Sequence, residues 1–243
     1  MKTLTSIFIS CLIIISGCNL QDDPLEDFQP IEVSEKAAQL IHAENQFGFE
    51  LFKNVYSAET EHENIMVSPL SVSIALAMTY NGARGETKTA MEKTLKVYGL
   101  TPEEINESYF SLMNALKSLD RKVLLEIANA VYYREDFLVE REFISTNEYY
   151  YNAIVSPLDF NNTSLSLATI NGWVKEKTHG KIESIIDQID SDHVMFLLNA
   201  IYFKGIWKTE FKEADTKTLS FTAGTGQTIQ VPTMQQVNTV PYY

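Results

Sequence analysis

Across residues 34–56 the apolar positions Ala37, Leu40, Ile41, Phe47, Leu51, Phe52 and Val55 recur at helical spacing with charges between them, which predicts an amphipathic helix. Ser68 and Pro69 supply an N-cap and a first helical residue, Leu70, Ile74, Ala75, Ala77 and Met78 carry a second helix forward, and Asn81-Gly82 stops it. Almost free of charge, this helix is expected to be buried on all sides. Thr101-Pro102-Glu103-Glu104 is a capping box that opens a third helix with Ile105, Leu112, Leu116 and Leu119. Residues 123–133 alternate between two sets that are both largely apolar, the pattern of a central strand covered on both faces. Residues 154–160 form a second strand candidate, and Pro157 places it at an edge or a bulge. A helix over 165–178 with Gly180 as its stop, a long apolar strand over 193–204, and a hairpin of 216–221 and 228–234 around Ala223-Gly224-Thr225-Gly226 complete the pattern. The order predicts an α+β domain, helices packed on a large mixed β-sheet. Because residues 230–243 still carry a strand pattern and end on Val240-Pro241-Tyr242-Tyr243, the sheet is expected to be incomplete at the C-terminal side.

The first residues do not belong to this pattern. Residues 1–17 combine Lys2 with an apolar run too short to span a bilayer, as in a signal peptide. The run ends in Ile15-Ser16-Gly17-Cys18, which resembles a bacterial lipoprotein box and makes Cys18 the expected lipidated first residue of the mature chain. Residues 18–33, with five acids and two prolines after the Cys, are expected to be an acidic tether, leaving 34–243 as the domain. The expected location is the bacterial envelope, with the membrane engaged through lipid; Asn19, in place of the Asp of an inner-membrane retention signal, and the acids that follow favour the outer membrane or the cell surface.

Charge and chemistry narrow the function classes. Against 32 acidic residues stand 19 basic ones, a net charge of −13, which argues against nucleic acid as a partner. Both cysteines, Cys11 and Cys18, lie in the first eighteen residues, so the domain has no disulfide or thiolate site. His42, His62, His179 and His193 show no metal-ligand spacing, so neither a metal nor another cofactor is expected. An esterase or protease would need a nucleophile elbow; GxSxG is absent, and Ser68 precedes a proline that lacks the N–H an oxyanion hole uses. The chain is therefore not expected to be an enzyme.

Three motifs in order resemble the serpin family of protease inhibitors. The first is Asn64-Ile65-Met66-Val67-Ser68-Pro69-Leu70-Ser71 with Leu76, Met78 and residues 81–87. The second is Ile170-Asn171-Gly172-Trp173-Val174 with Thr178 and Gly180-Lys181-Ile182. The third is Leu198-Asn199-Ala200-Ile201-Tyr202-Phe203-Lys204-Gly205-Ile206-Trp207, followed by Phe211, Thr216 and Phe221. The resemblance runs from Ser34 to Tyr243 and corresponds to somewhat more than the N-terminal half of a serpin. It implies a serpin-like fold and inhibition of a serine or cysteine endopeptidase, in which the cleaved reactive loop inserts as a new strand in the main sheet. Ser68, Pro69, Ser71 and Asn199 match the shutter beneath the opening strands, Trp207 the breach where insertion begins, and Asn171 and Trp173 the helix that crosses the sheet. The reactive centre has no counterpart here, nor do the hinge, the closing strands and the shutter's histidine. Inhibition is thus expected of a full-length product rather than of this portion alone. The alternative is a non-inhibitory serpin-like binding lipoprotein or the remnant of a broken gene.

Overall fold

The computed structural model describes residues 33–237 apart from 61–63, 119, 121 and 208. Helix α1 (Glu35–Ala58) begins at Ser34, whose hydroxyl accepts the Ala37 N–H at 3.1 Å. Helix α2 (Pro69–Tyr80) begins at Ser68 without a side-chain cap: Pro69 has no N–H, and the Ser71 N–H is taken by the Ser68 carbonyl at 3.1 Å. Its burial falls short of the expected all-round cover, because Val72 is exposed. Then follow α3 (Gly85–Leu95) and α4 (Pro102–Ser118). The α4 capping box is formed as expected, with Thr101 N–H to Glu104 at 2.8 Å and Glu104 N–H to Thr101 at 3.2 Å.

Strand β1 (Val123–Arg134) is central in a sheet of order β2-β1-β3. After α5 (Arg141–Tyr151), β2 (Ala153–Leu158) joins it in parallel from Asn129↔Ala153 to Arg134↔Leu158, and Pro157 sits on this edge strand. Helix α6 (Thr163–Lys177) crosses to β3 (Met195–Gly205), which pairs antiparallel with β1 from Val123↔Gly205 to Tyr133↔Met195. The sheet is mixed and has three strands among the described residues. A hairpin of β4 (Lys217–Thr222) and β5 (Thr228–Thr233) follows, with every β4 residue exposed.

The pleat sorts side chains into two cores. Odd positions Ile127 and Val131 pack with Leu40, Ile74, Met78, Leu95, Ile105 and Tyr109 of the helical layer. Even positions Ala130 and Tyr132 of β1 and Leu198 and Ala200 of β3 pack with Ile170, Trp173 and Val174 of α6. The sheet is therefore the middle of three layers, which is why β1 is apolar on both faces.

Candidate functional site

A chain of polar side chains runs behind the sheet, between it and the helical layer. Asn129 and Asn199 face each other across β1 and β3 in register. The Asn199 amide donates to Asn129 Oδ1 at 2.7 Å, and the Asn199 side-chain oxygen accepts the hydroxyl hydrogen of Ser71 on α2. Asn129, 2 % exposed, donates onward to the Tyr151 carbonyl at 2.7 Å. The Tyr151 hydroxyl donates to Asn106 at 2.7 Å, Asn106 to Asn81 at 2.9 Å, and Asn81 to Asn147 at 3.2 Å. This series joins β3, β1, α2, α4 and α5. Buried amides and hydroxyls bonded in series admit few alternative arrangements, so a shift of β3 relative to α2 must break or exchange defined bonds.

Of the residues matched to the shutter, Ser71 and Asn199 are thus in direct contact. Ser68 is exposed and meets Ser71 through its backbone carbonyl, with no side-chain cap bond from its hydroxyl. Pro69 lies against Gly48 of α1, where an added Cβ would meet the ring at 3.1 Å. Asn129 completes the junction and was not singled out in the sequence; its signal is a lone amide in an apolar strand.

Asn171 fastens the segment after α6: its amide donates to the Ile186 carbonyl at 2.8 Å, and its oxygen accepts the Ile185 and Ile186 N–H groups at 2.9 and 3.2 Å. Trp173 is buried in the α6 core, and its indole N–H has no partner among the described residues. Trp207 is exposed and meets Phe211 edge to face at 5.2 Å. Cys18 lies outside the described residues.

A second polar centre sits in the helical core. Glu44 of α1 accepts hydrogen bonds from Ser73 and Tyr109, both at 2.5 Å. Its partners are two neutral hydroxyls, and burial holds its carboxyl above the usual range against the pull of those donors. Burial first, and then the Glu44 charge, push the Tyr109 hydroxyl far above its ordinary value, and Tyr151 behaves alike. Among the described residues, Asp190, Asp192 and His193 bring ligand atoms within 4.8 Å of one another at the surface. The His193 Nδ1 accepts the Asp190 N–H at 3.0 Å, so this trio is accounted for by a turn.

A sequence model of the family Serpin (serine protease inhibitor) matches residues 42–243, and the chain belongs to that family. Similar proteins include Serpin A3-2 of Bos taurus, 33 % identical over 84 % of this chain and 50 % of its own length. An uncharacterized serpin-like protein of Methanosarcina acetivorans is 35 % identical over 82 % of this chain and 47 % of its own. Among solved structures, the latent thermophilic serpin Tengpin is 35 % identical with a TM-score of 0.71, covering 85 % of this chain and 54 % of that one. Cleaved Kallistatin, in a complex with heparin, is 26 % identical with a TM-score of 0.76 over 82 % and 58 % of the two chains. The chain thus spans about half the length of the relatives it matches. Serpins are in general inhibitors of proteases rather than catalysts.

Proposed function

We propose that this chain supplies the N-terminal part of a serpin-type inhibitor of serine or cysteine endopeptidases, which acts by inserting its cleaved reactive loop into the sheet when the C-terminal part of the fold is joined to it. The supporting observation is the Ser71–Asn199–Asn129 junction beneath β3, whose other edge has no partner strand among the described residues. An unpaired strand edge is a template for strand addition, and the junction beneath it gives the strand a small number of allowed positions. In this reading Trp207 marks the entrance to the gap, Ser68 and Pro69 set the start of α2 beneath it, and Asn171 and Trp173 hold the crossing helix. A lipid on Cys18 holds the protein at the envelope, and residues 18–33 give it reach.

The deciding experiment is to read the nucleotide sequence after the codon for Tyr243 and to express its product beside the chain ending there. An open frame with a hinge, a reactive loop and closing strands supports the inhibitor reading. A stop codon followed by unrelated sequence supports the non-inhibitory lipoprotein or gene remnant.

A further inference from the structure

One imidazole joins the end of α6 to two strands at once. His179 follows the C-cap Thr178, and its Nε2 meets a carboxylate oxygen of Glu126 on β1. Its ring lies against that of Tyr202 on β3, with centroids 4.1 Å apart. Glu126 and Tyr202 are partners in the register of β1 and β3, so the contact spans both strands at one level of the sheet. The backbone carries the ring there. The His179 N–H donates to the Glu176 carbonyl at 3.1 Å and the Gly180 N–H to the Lys175 carbonyl at 2.7 Å, a helix end that calls for a residue in the left-handed region. That residue is His179, at φ 50°, where glycine is the residue without steric cost. The strain of a histidine at this place is offset by what its side chain touches. Other charges face the ring from each element around it. Glu176 of α6 is held by Lys177 at 2.8 Å, and Glu183 of the following segment lies 3.8 Å from Lys175. Lys117 of α4 lines the same cavity as His179, Lys181 follows Gly180 in the chain, and Lys204 stands one pleat beyond Tyr202. Glu126 is thus the carboxylate in contact with the imidazole.

We propose that His179 is a pH-sensitive clasp that sets how firmly the end of α6 is held to the sheet. An imidazole changes charge within about pH 5 to 8, a range through which ammonium groups ordinarily stay charged, so the surrounding lysines do not supply the change. Protonated, the ring is a cation between the Glu126 carboxylate and the last carbonyls of α6. The carboxylate attracts it as an ion pair, and the helix end attracts it by its partial negative charge. Neutral, the ring keeps at most a hydrogen bond to Glu126 and its contact with Tyr202. The clasp is therefore closed at low pH and loosens as pH rises and the proton leaves. Loosening matters because α6 covers one face of the sheet, with Ile170, Trp173 and Val174 packed on Ala130, Tyr132, Leu198 and Ala200. Fraying of the last turn uncovers the sheet at Glu126 and Tyr202 while the earlier turns stay in place. The clasp goes beyond the inhibitor reading and operates whether or not a loop is inserted.

The test is hydrogen exchange of the chain and of its His179→Gln, His179→Gly and Glu126→Gln variants at about pH 5.5 and about pH 8, corrected for the intrinsic pH dependence of amide exchange. Both side chains are 46 % exposed, so the substitutions leave the fold in place. In the unchanged chain, protection of residues 175–180 should fall by about threefold or more from the lower to the higher pH, relative to α1. Referring it to α1 removes the global effect of Glu44. Glutamine at position 179 keeps a donor without the charge and should abolish the fall. His179→Gly, which suits the left-handed backbone, should hold the helix end without any pH dependence. Glu126→Gln should reduce the fall to the part supplied by the helix end. Equal protection at the two pH values in the unchanged chain, a rise in place of the fall, a fall that persists in His179→Gln, or one undiminished by Glu126→Gln would each overturn the proposal.

Discussion

Ser71 on α2 and Asn199 on β3, 128 residues apart in sequence, are joined side chain to side chain beneath the sheet. The same Asn199 holds Asn129 of the neighbouring strand, so one amide ties two strands to one helix. Asn199→Ala is expected to destabilise the domain by about 1–3 kcal/mol, because the Ser71 hydroxyl and the Asn129 oxygen lose their partner away from water. Chemical denaturation of the single and double variants with Ser71→Ala measures it. The cycle should give a coupling of about 0.5–3 kcal/mol, and additive losses would show the bond to be idle.

Glu44 makes stability depend on pH in a defined direction. Its folded carboxyl is held above the ordinary value near 4.5, so the native state binds this proton more tightly than the unfolded chain. The contribution is therefore fully present below the unfolded value and is lost as pH rises through the folded one. Glu44→Gln removes the ionisation, and its stability relative to the unchanged protein should rise between about pH 4 and pH 7. Melting temperatures across that range, unchanged in their difference, would contradict the assignment.

Two helical glycines should respond in opposite ways to alanine. At Gly172 of α6 an added Cβ meets nothing within 4 Å, so Gly172→Ala should stabilise by about 0.5–1 kcal/mol through helix propensity. At Gly48 the new Cβ would stand 3.1 Å from the rigid Pro69 ring, and the packing strain should cancel or exceed that gain. Urea midpoints of the two variants decide it.

The elements legible in the sequence were those with an apolar period or a capping signal, and α3 and α5 had neither. Helix α3 buries only Leu95. Helix α5 does have a spacing of four, Phe143, Asn147 and Tyr151, but its middle member is an asparagine, so a scan for apolar residues passes over it. The same substitution of polar for apolar hid Glu44, which shares the buried face of Leu40, Ala43 and Phe47. Ser71 and Asn199 were reachable through family resemblance alone, since no local pattern relates positions 128 residues apart. Their third member, Asn129, was visible only as an amide in an apolar strand whose pairing register was not yet known.

The proposed anchor makes its own prediction. Cys18→Ala should abolish incorporation of a labelled fatty acid and leave unprocessed precursor, both seen on a gel of metabolically labelled cells. Processing and release like the unchanged protein would remove the lipoprotein reading.

Protease trapping tests the central claim most directly. The chain over residues 18–243 and the product extended through any downstream frame are each incubated with chymotrypsin-like, subtilisin-like and papain-like proteases, then run on denaturing gels. The account predicts a covalent complex that survives denaturation with the extended product only, because the loop to be cleaved and the strand across the gap from β3 have no counterpart in residues 18–243. A stable complex formed by residues 18–243 alone, or none from an extended product carrying an intact reactive loop, would contradict it.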